Sequence, residues 1–172
     1  MVNSKEYTEY FIAAVTAEGY YQTAQLIRRE IKDLIEFEMK FSSPYVTNLA
    51  FACELYMKSL MLIKGTPPPK GNDGHDLSLL YAKLDDEYKA SLTDKYQSAL
   101  KTDSLEKEKA LVEFVNQHKS IFKNYRYPYE KNTVRENNPL YLASLEALSY
   151  VLSVICSDIA NKNKQEVPSN AD

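Results

Sequence analysis

Apolar side chains recur along most of this chain at the three- and four-residue steps that are typical of an α-helix. They predict a first helical segment at about 5–40, which Gly19 divides or weakens and which Ser42 to Pro44 stop. A second helix, at about 44–64, is expected to start with Ser43 as its cap. It is apolar on nearly every side, which predicts that it lies in the middle of the fold.

The rest of the chain continues the helical pattern in shorter pieces. Gly65 ends the second helix, and the proline-rich segment up to Gly74 is expected to be a rigid loop. Asp85 is placed to cap one later helix, and Asp103 with Glu106 forms a capping-box pattern at the start of another. The further helices are predicted at about 76–84, 85–100, 103–123 and 139–161.

The predicted fold class is all-α, because no segment shows the alternation of a half-buried strand. We expect an antiparallel up-and-down bundle of four to five main helices with one or two short extra helices. Residues 1–161 are predicted to form a single helical-bundle domain. The polar residues 162–172 are predicted to form a disordered tail.

Composition and charge narrow the functional classes. The chain has 172 residues, a formal net charge of -3 and a pI near 5.5. That balance excludes a protein that coats nucleic acid through clustered Lys and Arg, although it leaves room for a small basic pocket. The polar start and the charges within the apolar segments 49–63 and 139–160 predict a soluble cytoplasmic protein without a membrane span.

The cysteines and histidines of this chain are not spaced as the ligands of a metal or cofactor would be. Cys53 and Cys156 lie in apolar helical stretches and are expected to be buried thiols. Two histidines and two buried cysteines without ligand spacing do not predict a zinc site, and no cofactor is expected.

Two charged residues in the apolar second helix are the first candidates for a site. Glu54 and Lys58 lie one helical turn apart, where their side chains can meet. They form either a solvated ion pair on an exposed stripe or a polar patch that lines a cleft. His75 stands at a helix start, after Gly74, and is either a loop residue that bonds to backbone or a titratable group near neutral pH.

The second candidate region lies late in the chain. His118 lies on an apolar helix face, as either a core histidine or a catalytic one. Arg126 is followed by Tyr127, Tyr129 and Glu130, and such an arginine between tyrosines can bind phosphate or carboxylate while the rings stack on a base. Alternatively, Arg126 pairs with Glu130 or Glu54 and the tyrosines fill the end of the bundle.

The order of these segments resembles the HEPN superfamily of bacterial helical domains. The resemblance covers about residues 25–160 and rests on Glu54-Leu-Tyr-Met-Lys58, Gly74-His75-Asp76-Leu77, and the segment from His118 through Phe122 to Glu130. It implies a bundle of four or five helices, usually dimeric. Such domains occur in toxin–antitoxin, phage-defence and RNA-processing systems, and some pair with minimal nucleotidyltransferases.

Active members of that family are metal-independent endoribonucleases with an Arg-x4-6-His motif. Here no arginine is followed by a histidine at that spacing, and His118 precedes Arg126. The leading hypothesis is therefore a non-catalytic or divergent HEPN-like domain that binds a nucleotide, RNA or partner protein such as a nucleotidyltransferase or antitoxin. The predicted ligand-binding residues are Glu54, Lys58, His75, Arg126, Tyr127, Tyr129 and Glu130.

Two alternatives remain. One is a ribonuclease toxin that uses His118 and Arg126 as catalytic residues in a rearranged site. The other is a purely structural module in which tyrosine-rich faces form a homodimer.

Overall fold

The computed structural model describes residues 4–100, 111–126 and 142–165, and the side chains of all of these except 4–8 and 163–165. The described residues contain helices and no strand, which confirms the all-α class. The α-helices are α1 (Ser4–Glu30), α2 (Leu34–Glu36), α3 (Ser42–Ile63), α4 (Leu77–Lys83), α5 (Asp86–Ala99), α6 (Leu111–Gln117), α7 (Ile121–Arg126) and α8 (Leu142–Gln165). A π-helical turn, Phe37–Phe41, joins α2 to α3, and a 3₁₀ turn, Gly71–His75, precedes α4.

The first interruption lies earlier than the sequence pattern predicts. The prediction that Ser42 to Pro44 stop the first helix was wrong, because the π-helical turn carries the chain directly into α3. Helix α1 ends instead at Glu30, and Asp33 starts the next helix by accepting a hydrogen bond from the Glu36 N–H at 2.7 Å. Pro44 is tolerated because it lies in the first turn of α3, where an N–H has no α-helical partner.

Ser43 does not cap α3 as predicted. Its hydroxyl donates to the carbonyl oxygen of Tyr125 at 2.5 Å and so ties the start of α3 to α7. Gly19 leaves α1 continuous, since this glycine lies within the unbroken helix Ser4–Glu30.

Helix α3 occupies the middle of the fold, as its all-round apolar pattern predicts. It packs against α1, α4, α7 and α8. Its fully buried side chains include Tyr45, Leu49, Cys53, Met57 and Leu60. Removing such a side chain from water stabilises the fold by roughly 1.5–3 kcal/mol each.

The predicted ends of the middle helices are largely confirmed. Gly65 ends α3 with φ 68°, a left-handed conformation that glycine adopts without strain. Asp76 caps α4 by accepting from the N–H groups of Ser78 and Leu79, and Asp85 caps α5 through the Glu87 N–H.

The late helices differ from the prediction in their continuity. A turn at His118 to Ser120 divides the predicted 103–123 helix into α6 and α7. The Leu77 N–H donates to the Lys119 carbonyl at 3.0 Å, which links this turn to the start of α4. Helix α8 continues to Gln165, beyond the predicted end at about 161. The capping pattern at Asp103 and Glu106 falls outside the described residues.

Two helical stretches, Leu34–Ile63 and Leu142–Lys162, are long and apolar enough to cross a membrane by length and composition. Of their most apolar windows, 61% and 50% respectively are buried inside the protein. The two stretches pack against each other through α3 and α8, as the core helices of one fold do.

Candidate functional site

Glu54 is the centre of the candidate site. Its side chain is only 1% exposed, although it carries a carboxylate in the most apolar helix of the chain. Oxygen Oε1 accepts from Lys58 Nζ at 2.7 Å, and Oε2 lies 2.9 Å from His75 Nδ1. The interpretation of Glu54 and Lys58 as a solvated pair is therefore wrong, because a carboxylate this buried depends on its two partners.

The 3₁₀ turn before α4 delivers His75 to the carboxylate. Gly74 allows this approach, because a Cβ added there would meet the Pro69 carbonyl oxygen at 2.7 Å and Lys58 Nζ at 3.4 Å. The Pro69 carbonyl oxygen therefore occupies the space that a Cβ at position 74 would need, with the Lys58 ammonium group close by. This contact explains why a glycine precedes the histidine in the sequence.

Aromatic rings hold His75 from its other side. The imidazole stacks on the Phe122 ring with centroids 5.4 Å apart, and Phe122 stacks on Phe51 at 4.8 Å. Phe51 and Glu54 are three residues apart on α3 and therefore lie on the same side of that helix. The ring stack and the carboxylate together fix the imidazole between α3 and α7.

Arg126 joins the cluster through the same phenylalanine. Its guanidinium carbon lies 5.5 Å from the centroid of the Phe122 ring, one helical turn back along α7. The arginine is exposed, whereas Phe122 is buried. We call Glu54, Lys58, His75, Phe122 and Arg126 the Glu54 cluster.

The surroundings of the Glu54 cluster carry charges of both signs, with Lys123 on α7 and with Asp73 and Asp76 on either side of His75. Lys123 on α7 donates to the side-chain oxygen of Asn72 at 3.0 Å and so reaches across to the turn that carries His75. Lys58 and His75 keep 20% and 34% of their side chains exposed, while the carboxylate that they share is buried. The exposed side of the cluster is therefore formed by nitrogen donors rather than by the acid.

Of the predicted site residues, the structure places Lys58 and His75 in contact with Glu54, and it places Arg126 against the Phe122 ring on which His75 stacks. His118 lies on the turn between α6 and α7, where it is 7% exposed and its ring packs against Phe114 at 4.9 Å. That burial fits the interpretation of His118 as a core residue. Tyr127, Tyr129 and Glu130 lie outside the described residues.

A second polar cluster was not predicted from the sequence. Glu18 on α1 accepts hydrogen bonds from Tyr56, Ser153 and Gln22, and so connects α1 to α3 and α8. Burial opposes ionisation of this carboxyl, but the three hydrogen bonds outweigh it and hold its pKa below the usual 4.5. Its only signal in the sequence is a tyrosine on the apolar helix α3, which needs a partner for its hydroxyl.

Neither metal nor thiol chemistry is indicated by the part of the chain that the structure describes. Within it, no group of three or more His, Cys, Asp or Glu is placed to hold a metal ion. Cys53 and Cys156 are buried, and burial raises the pKa of Cys156 to about 12, so its reactive thiolate form is disfavoured.

Comparison with known proteins adds no family assignment to this geometry. No family model, curated protein or solved structure matches the chain.

Proposed function

We propose that this chain is a HEPN-like helical domain that binds the phosphate of a nucleotide or of RNA at the Glu54 cluster. The observation that carries the proposal is the buried Glu54 carboxylate, which contacts both Lys58 and His75, while His75 stacks on the Phe122 ring that Arg126 also approaches. Nitrogen donors of fixed position are what an anion site requires, because ordering them in advance lowers the cost of binding.

The nitrogen groups of the cluster are the contacts that an anionic ligand would use. Lys58 and Arg126 are cations, while Asp76, the acid next to His75, is engaged in capping α4. Lys123 adds a further cation beside the cluster. Arginine suits the role, since its planar fork donates two parallel hydrogen bonds to phosphate oxygens.

The wider context of this proposal comes from the resemblance. We propose an antiparallel bundle of four to five main helices, built around α3 and filled in by the shorter helices. The resemblance also suggests a cytoplasmic, homodimeric protein of a toxin–antitoxin or defence system, with a nucleotidyltransferase or antitoxin as partner. The departure from Arg-x4-6-His favours binding over cleavage.

Binding is tested by fluorescence anisotropy with a labelled single-stranded RNA and with labelled AMP. Arg126→Ala is expected to weaken binding at least tenfold, because one charge-assisted phosphate contact contributes about 1.5–3 kcal/mol. Arg28→Ala is the matched control, since Arg28 is also exposed and lies over a phenylalanine ring, that of Phe37, at 5.3 Å. It is expected to leave affinity unchanged.

Two results would contradict the proposal. One is a wild-type protein that binds neither probe at millimolar nucleotide and low salt. The other is an equal loss of affinity in both arginine variants, which would indicate general attraction by surface charge rather than a site.

A metal-independent ribonuclease is the second candidate, and the contact between Glu54 and His75 favours it. A carboxylate on Nδ1 orients the imidazole so that Nε2 can accept the proton of a 2′-hydroxyl. RNA cleavage in EDTA that His75→Ala abolishes and His118→Ala preserves would support this candidate. No cleavage by the wild-type protein would exclude it.

A further inference from the structure

Helix α3 is the central helix, yet one line of its side chains keeps contact with water. Most positions of α3 are buried, whereas the residues of this line are half-buried and follow one another at helical steps of three and four. They are Asn48, Phe51, Leu55 and Lys58. Because Lys58 belongs to the Glu54 cluster, the line leads from that cluster along α3.

The half-buried line lies on the floor of a groove between α1 and α7. Both of these helices pack on α3, but they are not packed closely against each other. The Phe51 ring contacts both of them, since it stacks on Phe122 of α7 at 4.8 Å and meets the Tyr20 ring of α1 at 4.6 Å. Phe51 therefore forms the floor of the groove, and Tyr20 and Phe122 lie on its two walls.

The Glu54 cluster forms the cationic end of this groove. The Arg126 guanidinium carbon lies 5.5 Å from the centroid of the Phe122 ring on the α7 wall. Lys58 reaches back to Glu54, which brings its ammonium group one helical turn nearer to Phe51. The two turns of α3 between Lys58 and Phe51 span about 10 Å, and this reach shortens the gap to the length of a phosphate and a flat ring joined by one sugar.

Tyr20 forms the aromatic end of the groove, and space is left beside its ring. Its plane meets that of Phe51 at 68°, an edge-to-face contact that leaves at least one face of the Tyr20 ring without Phe51 against it. A Cβ added at the neighbouring Gly19 would meet nothing within 4 Å. The residues one turn away on α1 are all small, namely Thr16, Ala17, Thr23 and Ala24.

We infer that the base of the bound nucleotide stacks on Tyr20, while its phosphate lies at the Glu54 cluster. This subsite rests on the proposed function, because the phosphate site fixes one end of the ligand. It adds a requirement for a flat ring, so a sugar phosphate without a base binds more weakly. Stacking does not select one base over another, since every base presents a flat face to the ring.

The first test compares AMP with ribose 5-phosphate, which has the same phosphate and sugar but no base. Calorimetric titration of the full chain at low salt is expected to show that AMP binds about fivefold more tightly or better. Tyr20→Ala is expected to remove this preference and Tyr20→Phe to keep it, because stacking needs the ring and not the hydroxyl. Tyr20→Leu retains an apolar contact with Phe51 and is also expected to lose the preference, with the wild-type helix content by circular dichroism.

Tyr21→Ala is the matched control. Tyr21 is also half-buried on α1, but burial and the nearby Glu18, Tyr150 and Glu146 raise its pKa, which places its ring on the α8 side of the helix. The variant is expected to keep the wild-type preference for AMP.

The second test places a fluorescent reporter in the groove. The chain contains no tryptophan, so Tyr20→Trp and Tyr21→Trp each introduce a single one. AMP is expected to quench the fluorescence of the tryptophan at position 20, because the base stacks on it, and ribose 5-phosphate is expected to leave it unchanged. Neither ligand is expected to change the fluorescence of the tryptophan at position 21.

The stacking subsite and the phosphate site can fail separately. Equal affinities for AMP and ribose 5-phosphate, or an equal loss of AMP affinity in Tyr20→Ala and Tyr21→Ala, would overturn the subsite and leave the phosphate site intact. Adenosine that binds as tightly as AMP, in the wild type and in Arg126→Ala alike, would support the stack and overturn the phosphate site. A protein that binds none of the three ligands would overturn both.

Discussion

Replacing Glu54 with glutamine tests the buried carboxylate without changing its shape. The substitution removes the charge that Lys58 Nζ approaches at 2.7 Å and His75 Nδ1 approaches at 2.9 Å. A hydrogen bond to a charged group contributes about 1.5–3 kcal/mol. Lys58 and His75 both keep some contact with water, which replaces part of the lost hydrogen-bond free energy. We therefore expect a net loss of about 2–3 kcal/mol in the free energy of unfolding.

Urea denaturation at pH 7, followed by circular dichroism, measures this loss. For a protein of this size the same change lowers Tm by roughly 5–10 °C. Glu36→Gln is the matched control, because Glu36 and Lys40 form a pair at the same four-residue spacing, at 3.2 Å, with both side chains exposed. Its loss is expected to be under about 0.5 kcal/mol.

The two glutamine variants together show whether the buried carboxylate stabilises the fold more than an exposed one does. If Glu54→Gln loses no more stability than Glu36→Gln, the carboxylate of Glu54 does not anchor Lys58 and His75. The two side chains would then not be held in place for a ligand by that carboxylate.

Two further predictions concern the surroundings of the site. Gly74→Ala is expected to lower the free energy of unfolding by about 1–3 kcal/mol, because the added Cβ would meet the Pro69 carbonyl oxygen at 2.7 Å. Urea denaturation measures this loss, and an unchanged urea midpoint would contradict the close contact between Gly74 and Pro69. Because the pKa of Glu18 is lowered in the folded state, its ionised form stabilises the protein above the unfolded pKa near 4.5, and this contribution is lost as pH falls through the folded pKa. Tyr56→Phe removes one cause of that shift, so the stability lost between pH 6 and pH 3 is expected to be smaller than in the wild type, by less than about 1 kcal/mol.

The ends of the helices were predictable where a single capping residue in the sequence determined them. Asp85 precedes an apolar stripe of tyrosine and leucine and caps its helix as the sequence indicates. At Ser42 to Pro44 the local signal was misleading, since a proline in the first turn of a helix and a proline after a helix end look alike in sequence. The π-helical turn before it and the bond from Ser43 to Tyr125 decided the outcome, and both depend on tertiary structure.

The site was predictable only in part. The contact between Glu54 and Lys58 follows from their spacing on one helix. The contact of Glu54 with His75 and the stack of His75 on Phe122 join elements 21 and 47 residues apart, and periodicity alone carries no information on such distances. The same limit applies to His118, whose place on an apolar line predicts burial and not its distance from Arg126.

The chain has only two histidines, so NMR of the imidazole groups reports on the site directly. Titration of the 15N-labelled protein with AMP is expected to shift the ring signals that His75→Gln removes, and to leave those of the buried His118 in place. In Arg126→Ala the shift of His75 is expected to require at least tenfold more AMP. Ring signals that stay unchanged at 10 mM AMP, or that move equally for both histidines, would contradict an anion site at the Glu54 cluster.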